Sequence, residues 1–343
     1  MKYLSLTFLL LASLTLMPKN ASAQALQSLS GQQSAVSFQL SPARPGPNQQ
    51  VNVSIESYST NLDRADISWF LNNTLSQEAV GLKSFSLKTG RAGSVSNILI
   101  VIKTEDGTML QQTINIHPAS LQLVWEAQSY TPPFYRGKAL YPFQGTVKVV
   151  ALPNIVTENG GTLDPKKLVY TWKVDGNTVA SASGYGRQYI LFTGSIPIKP
   201  GNIEVEATSL DQVFVASGKT TLVAGSPQLL FYEDSPVYGV LYNKAIDGSK
   251  TLTNEEIKIV GIPYFIGAKE RLGSGLSYDW QLNGEKISNG DKDSLAFRQE
   301  KGVAGTAEVY LQVSHPANIF QFANNSVSLS FGQTTGSNLF GTQ

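Results

Sequence analysis

Three similar segments, each centred on a tryptophan, recur along this chain of 343 residues. They read ISWFLNNT at 67–74, YTWKVDGNTV at 170–179 and YDWQLNGEKI at 278–287, and their tryptophans are Trp69, Trp172 and Trp280. The tryptophans are 103 and 108 residues apart, which is close to the length of a β-sandwich domain of about 100 residues. The repetition predicts three successive domains of one kind.

Alternation of apolar and polar residues accompanies each tryptophan segment. The stretches NILIVIKT, NIEVEATS and AEVYLQVSH begin 28, 30 and 27 residues after the tryptophan. The segments VNVSIES, GTVKVVAL, IKIVGIP and IEVEAT have the period of two expected of a strand with one buried face. Turn-forming pairs such as Asp175-Gly176 and Asn283-Gly284 directly follow the tryptophan strands. Since no segment shows a sustained helical period, we expect an all-β chain in which each tryptophan fills the gap of about 10 Å between two sheets.

The first 23 residues have the pattern of a signal peptide. Lys2 precedes an apolar run of fourteen residues from Leu4 to Met17, and Ala21-Ser22-Ala23 matches the small-x-small pattern before a cleavage site. Such a run is short for a membrane anchor, which needs about 20 residues. We therefore expect a mature chain that begins at Gln24, has no transmembrane span, and is extracellular, cell-surface or periplasmic.

The charge and the lack of cysteine narrow the class of partner. Without Lys2 and Lys19 the mature chain has 24 basic and 25 acidic residues, a net charge of −1, and it lacks the basic stripe that nucleic acids select. The chain contains no cysteine, which argues against the disulfide-rich small domains of animal secretion. These features favour a bacterial exported protein that binds no nucleic acid.

The pattern Y-x-W-x-[VL]-[DN]-G in the second and third segments resembles the immunoglobulin-like and PKD-like repeats of bacterial exported or surface proteins. The first segment departs from it, with Ile67 in place of the tyrosine and Asn72-Asn73 at the turn. The resemblance implies three tandem immunoglobulin-like β-sandwich domains after the signal peptide. We expect the signal peptide at 1–23, a flexible segment at 24–36, domains at 37–118, 119–225 and 226–332, and a flexible tail at 333–343.

Residues typical of catalysis or metal binding are sparse. His117 and His315 each precede a proline at non-equivalent points of their repeats, and no recognisable catalytic motif is present. Three acidic pairs are alternatives as calcium ligands at domain joints, although we expect them to be solvated loop charges: Glu233-Asp234, Glu255-Glu256, and Asp291 with Asp293. We therefore expect no enzyme, no cofactor and no metal site.

The segment YTPPFYRGKALYPF at 130–143 crowds five aromatic residues around three prolines and two cations. Exposed aromatic rings with arginine are typical of interfaces, so the sequence yields these candidate binding residues: Tyr130, Phe134, Tyr135, Arg136, Tyr141 and Phe143. The alternative is that the segment folds back and covers the end of its own sandwich. If the repeats pack side by side, the same segment is expected to hold them together.

These observations favour a non-enzymatic exported protein that serves as a structural, spacer or adhesion component of a bacterial cell-surface assembly. The expected partners are other surface or envelope proteins, and glycans are an alternative. The other functions considered are a polysaccharide or cell-wall binding module and an accessory domain array of a secreted hydrolase. Short proline-containing joints, with Pro118 and Pro227, favour the spacer because proline limits rotation of the chain.

Overall fold

The computed structural model describes residues 36–272, 275–288, 293–300 and 302–332. The described chain is built almost entirely of strands, with one short helix, α1, at Ala268–Leu272 and two 3₁₀ turns, at Leu62–Arg64 and Pro165–Lys167. The predicted all-β fold is confirmed. The expected signal peptide, the start at Gln24 and the expected tail at 333–343 lie outside the described residues.

The first seven strands form two antiparallel sheets that face each other across an apolar core. Their bounds are β1 Ser37–Ser41, β2 Gln50–Glu56, β3 Asp66–Leu71, β4 Thr74–Val80, β5 Ser84–Lys88, β6 Ser96–Lys103 and β7 Met109–Ile116. The sheet orders are β1-β2-β5 and β4-β3-β6-β7. The core is lined by alternate residues of β2, β3 and β6, since a strand directs every second side chain to one face.

The next eight strands repeat this arrangement. Their bounds are β8 Ser120–Ala127, β9 Thr146–Asn154, β10 Val169–Val174, β11 Asn177–Thr178, β12 Gly184–Tyr185, β13 Tyr189–Thr193, β14 Gly201–Thr208 and β15 Val215–Leu222. One sheet has the order β13-β9-β8, and the other has the order β11-β10-β14-β15 with β12 also paired to β10.

The last nine strands keep the plan and add two strands to it. Their bounds are β16 Gln228–Ser235, β17 Gly239–Ile246, β18 Ser249–Thr251, β19 Glu256–Tyr264, β20 Ser277–Leu282, β21 Glu285–Lys286, β22 Ser294–Arg298, β23 Gly305–Ser314 and β24 Phe322–Phe331. The sheet orders are β17-β16-β19-β22 and β18-β24-β23-β20-β21. The long connection after β16 thus contains the added strands β17 and β18, and β18 pairs in parallel with β24.

We call these sets unit one (37–116), unit two (120–222) and unit three (228–331). In each, the first two strands of the common plan share a sheet with the later edge strand β5, β13 or β22, while the tryptophan strand β3, β10 or β20 lies in the opposite sheet. This exchange of strands between two packed sheets, with a buried tryptophan on the third strand of the plan, is the immunoglobulin-like fold. The predicted domain boundaries, and the independent folding of each domain, stay predictions.

All three tryptophans lie in the cores: Trp69 and Trp172 are 0% exposed and Trp280 is 3% exposed. The indole Nε1 of Trp69 donates to the Leu82 carbonyl at 2.9 Å, and that of Trp172 donates to the Arg187 carbonyl at 2.7 Å. A buried indole N–H needs such an acceptor. These bonds tie the rings of Trp69 and Trp172 to the chain that follows their hairpins, whereas the buried Nε1 of Trp280 has no hydrogen-bond partner among the described residues.

The hairpin after each tryptophan has two residues with positive φ, the conformation of a type I′ turn. The pairs are Asn72-Asn73 (49° and 66°), Asp175-Gly176 (50° and 80°) and Asn283-Gly284 (52° and 85°). Unit one therefore makes the same turn as the other two although it lacks glycine. Asparagine permits this because its side chain tolerates left-handed backbone better than most residues do.

Candidate functional site

Part of the aromatic segment at 130–143 is anchored in unit two. Tyr141 is 3% exposed, its ring lies edge-on to Phe192 with centroids 6.0 Å apart, and its carbonyl accepts from the Gly225 N–H at 2.8 Å. Burial raises the pKa of the Tyr141 hydroxyl. Phe143 is half-buried. Tyr141 is therefore a core residue of unit two.

Another part of the segment reaches across to unit three. The Tyr135 ring lies edge-on to Tyr264 and Phe265, with centroid distances of 5.8 and 5.6 Å. Tyr130 packs against two apolar clusters of unit three, one between its sheets and one on the outer face of β16 and β19. Edge-to-face aromatic pairs contribute about 0.5–1.5 kcal/mol beyond their area, so both rings hold unit three against unit two.

Backbone pairing accompanies these ring contacts. The Tyr130 N–H donates to the Ile266 carbonyl at 2.7 Å, the Phe265 N–H donates to the Tyr130 carbonyl at 2.7 Å, and the Ala268 N–H donates to the Gln128 carbonyl at 3.2 Å. Near the end of the segment, Gln144 Oε1 accepts from the Phe320 N–H at 3.1 Å. We call residues 128–135 together with residues 264–271 the joint strap.

Arg271 of α1 completes the joint strap. Its guanidinium carbon lies 5.2 Å from the centroid of the Tyr130 ring, and its Nη2 is 3.2 Å from Asp293 Oδ2. The Arg271 side chain is 17% exposed, and a partly desolvated cation over an aromatic ring contributes about 0.5–2 kcal/mol. Arginine thus links a ring of unit two to a carboxylate of unit three.

Tyrosines of unit three form the surface under the joint strap. The hydroxyls of Tyr232 and Tyr264 are 2.5 Å apart and buried. Burial, followed by the neighbouring Tyr232 hydroxyl, raises the pKa of Tyr264 well above its ordinary value. Burial also raises the pKa of Tyr242, which packs with Tyr232 at a centroid distance of 5.5 Å. The phenols of Tyr264 and Tyr242 therefore stay neutral at physiological pH, which suits an apolar contact.

The other two candidate residues of the segment, Phe134 and Arg136, face solvent. Phe134 is 89% exposed and has a φ of 66°, within a turn closed by the Tyr135 N–H donating to the Pro132 carbonyl at 3.3 Å. Arg136 is exposed beside it. The structure therefore divides the six candidate residues among the core of unit two, the joint strap and the solvent, and their binding role stays a prediction.

Sequence analysis did not identify the residues that receive the segment. Phe265 and Arg271 are in contact with it across the joint, but the sequence GIPYFIGAKERL gives no sign of which unit they face. Tyr264 and Tyr242 likewise belong to no motif of the sequence that indicates a contact with unit two. A signal existed in the surplus of tyrosine around 232–264, on a strand face that would otherwise be polar.

Units one and two are joined by different contacts. Arg44 donates to both carboxylate oxygens of Glu206, through Nε at 3.0 Å and Nη2 at 3.4 Å. The Ala119 N–H donates to the Pro45 carbonyl at 3.4 Å, and the His117 ring lies edge-on to Phe214 at 5.0 Å. A two-point arginine–carboxylate pair fixes direction as well as distance, so this joint is also constrained.

The acidic pairs considered as calcium ligands are each engaged by cations. The ion pairs are Glu233 with Lys250 at 2.7 Å, Asp234 with Lys258 at 3.1 Å, Glu256 with Arg298 at 3.0 Å, and Asp293 with Arg271 at 3.2 Å. Asp291 lies outside the described residues. His315 Nδ1 accepts from the N–H groups of Ala317 and Asn318 at 3.0 and 2.8 Å, which is a turn contact. Within the described ranges, no group of three or more His, Cys, Asp or Glu residues is placed to hold a metal.

No family model matches the chain, and no curated protein matches it. Several solved structures are similar. The fibronectin(III)-like modules of Clostridium thermocellum CbhA are 12% identical, cover 55% of this chain and 94% of their own, and give a TM-score of 0.25.

Two further structures match more of the chain. Three N-terminal domains of the highly immunogenic outer capsid protein (Hoc) of bacteriophage RB49 are 13% identical, cover 87% of this chain and 98% of their own, and give a TM-score of 0.25. The Bacteroides ovatus protein SGBP-B, solved with a mixed-linkage heptasaccharide, is 11% identical. The match covers 90% of this chain and 69% of SGBP-B, and gives a TM-score of 0.21. With scores this low, the fold assignment depends on the strand order and buried tryptophans described above.

The described part of the chain has no helix of the length and apolar character needed to cross a membrane.

Proposed function

We propose that this chain is a non-enzymatic, exported spacer of a bacterial cell-surface assembly, which holds its three units in one arrangement so that the groups at its two ends keep a set separation. It uses no cofactor. The expected partners are other surface or envelope proteins. The support comes from the joints, because a spacer with freely swivelling units would not fix any separation.

The joint strap is the observation that carries this proposal. Contacts between domains of one chain are often small and leave the domains mobile. Here three backbone hydrogen bonds, two edge-on ring pairs and the Arg271–Tyr130 contact cross the joint. At about 0.5–1.5 kcal/mol for each hydrogen bond and a similar value for each ring pair, their sum exceeds thermal energy several-fold. We therefore expect one dominant orientation of units two and three.

The joint between units one and two supports the same function by other means. The Arg44–Glu206 pair is only partly exposed, with side-chain exposures of 30% and 40%, so water screens it less than a surface pair. Pro118 restricts the connecting backbone. The two joints thus use unrelated contacts to the same end.

Distance measurements between spin labels test the proposal. Because the chain has no cysteine, the pair Lys219→Cys in unit two and Glu308→Cys in unit three, both exposed positions, can be labelled without background. We expect a single narrow distance distribution. Tyr130→Ser combined with Tyr135→Ser should broaden it, since this removes the two rings of residues 128–135 that contact unit three.

Phe134→Ser is the matched control, because Phe134 lies in the same segment but is 89% exposed. It should leave the distribution narrow. A broad distribution in the wild-type chain would contradict the spacer. So would a narrow one that persists after loss of both tyrosines, because the joint strap would then not set the orientation.

A further inference from the structure

The outer faces of the sheets that contain β2, β9 and β19 differ sharply among the three units. In unit one this face is polar, as in the cross-strand row Gln39, Ser54 and Ser84. Antiparallel sheets of a sandwich normally present such a polar face to water. Unit one therefore shows what this face looks like when nothing covers it.

Unit three has an apolar outer face, and that face is covered. Tyr232, Val260 and Ile262 point outward from β16 and β19 yet are at most 5% exposed. They form one cluster with Tyr264 and Phe265, against which Tyr130 packs. In unit three, the apolar outer face is thus covered by another element of the chain.

Unit two has an apolar outer face that is largely bare within the described chain. Tyr189, Val150 and Val124 form one cross-strand row over β13, β9 and β8, and Tyr189 and Val124 are 52% and 46% exposed. Leu191 and Leu152 flank the row at 54% and 46% exposure. Directly opposed side chains in neighbouring strands are about 5 Å apart, so these five residues form one continuous patch.

The charges beside the patch are of both signs. Lys148 of β9 lies opposite Leu191 of β13 on one side and opposite Glu126 of β8 on the other. The Lys148 Nζ is 4.8 Å from the centroid of the Tyr189 ring, so the cation lies at the margin of the apolar row. A surface with one cation and one anion at its edge complements a copy of itself turned through a two-fold axis.

We propose that the outer face of unit two binds the same face of a second copy of this chain. Val150 would lie near the two-fold axis, with the Tyr189 rows of the two protomers in contact. Lys148 of one protomer would lie opposite Glu126 of the other. A three-stranded face is small, so the interface falls in the class of weak contacts that bury less than about 1,200 Å².

Cysteine crosslinking tests the proposed pairing. In the mature chain, which has no cysteine of its own, Val150→Cys should form a disulfide-linked dimer on mild oxidation because the two copies of residue 150 meet near the axis. Ser54→Cys is the control, since Ser54 holds the equivalent central place on the polar face of unit one. Equal crosslinking of the two variants, or none at Val150→Cys, would overturn the proposal.

Sedimentation of unlabelled protein supplies the second test. The wild-type chain should dimerise reversibly, and Val150→Glu should raise the dissociation constant about 30-fold or more, as expected for the centre of an interface. Ser54→Glu should leave it unchanged. If Val150→Glu does not fold, as judged by circular dichroism, Tyr189→Ser takes its place.

A wild-type chain that stays monomeric at several hundred micromolar, on the order of a weak interface's dissociation constant, would refute the pairing. A dimer that Val150→Glu and Tyr189→Ser both leave intact would also refute it, as would a polysaccharide that binds the face and competes with crosslinking. Neither Val150 nor Tyr189 belongs to the joint strap. The spin-label distances should therefore stay narrow in Val150→Glu, which separates failure of this proposal from failure of the spacer.

Discussion

Single indole rings fill the space between the sheets at corresponding points of the three units. Trp172 does this with no exposed surface and with its Nε1 bonded to the Arg187 carbonyl. The repeated sequence pattern predicted the inward direction of the ring. The acceptor could not be predicted, because a carbonyl fifteen residues away is placed by the whole hairpin and by no local pattern.

Trp172→Ala should destabilise unit two by about 3–5 kcal/mol, since it removes a fully buried ring and leaves a cavity. Hydrogen exchange should quicken throughout 120–222 and change little in 37–116, which has a separate core. Phe134→Ala, at an exposed site, is the control and should change stability by less than about 0.5 kcal/mol. Uniform quickening over both units would contradict the separate cores.

Alkaline pH should weaken unit two through Tyr170. Burial raises the pKa of this phenol from 10.0 to about 12, and its hydroxyl donates to the Pro165 carbonyl at 2.8 Å. Because the folded state keeps the proton, the stabilising contribution is complete below about pH 10 and is lost as the pH rises towards 12. The stability difference between wild type and Tyr170→Phe should therefore shrink over that range in denaturant titrations. A difference that stays constant with pH would contradict this account.

At the scale of elements, the sequence predicted the tight turns better than it predicted the structure and contacts of the longer connections. Asp175-Gly176 and Asn283-Gly284 were sufficient to predict two of the hairpins. The aromatic segment at 130–143 was visible as an unusual stretch, but its destination was not, because contacts with Tyr264 and Phe265 depend on how two units meet. The strands β17 and β18 were not predicted from the sequence.

Gly176→Ala should cost about 1–2 kcal/mol, since a side chain at a φ of 80° is strained. No atom lies within 4 Å of the added Cβ, so the cost comes from the backbone alone. Gly225→Ala is a matched control, because its Cβ also meets open space and its φ is not in the left-handed region. Equal thermal unfolding midpoints for the two variants would show that the type I′ turn is not required.

At the scale of the whole molecule, tryptophan spacing and strand period predicted three β-sandwiches, and the resemblance of the tryptophan segments to immunoglobulin-like repeats implied the immunoglobulin-like fold. The arrangement of the units did not, since Arg44 and Glu206 are 162 residues apart and nothing local predicts their pairing. The apolar outer face of unit two was equally hidden. In β9 the residues of both faces are apolar or long-chained, so alternation alone does not show which face needs a partner.

Export is a prediction about the whole molecule that N-terminal sequencing can check. If Ala21-Ser22-Ala23 directs cleavage, protein recovered from the envelope or medium of its native host should begin at Gln24. Ala23→Lys should block processing, since signal peptidase needs a small residue there. Intact Met1 in the mature pool would contradict the predicted signal peptide.

Small-angle X-ray scattering of the mature chain tests the fixed arrangement of the three units most directly. The measurement is best made on Val150→Glu at low concentration, so that dimers do not contribute. We expect one conformation, that of the described residues, to reproduce the whole curve, and Tyr130→Ser with Tyr135→Ser to require a mixture of interdomain angles. A Val150→Glu curve that only a broad mixture of interdomain angles reproduces, with Tyr130 and Tyr135 both present, would contradict the spacer.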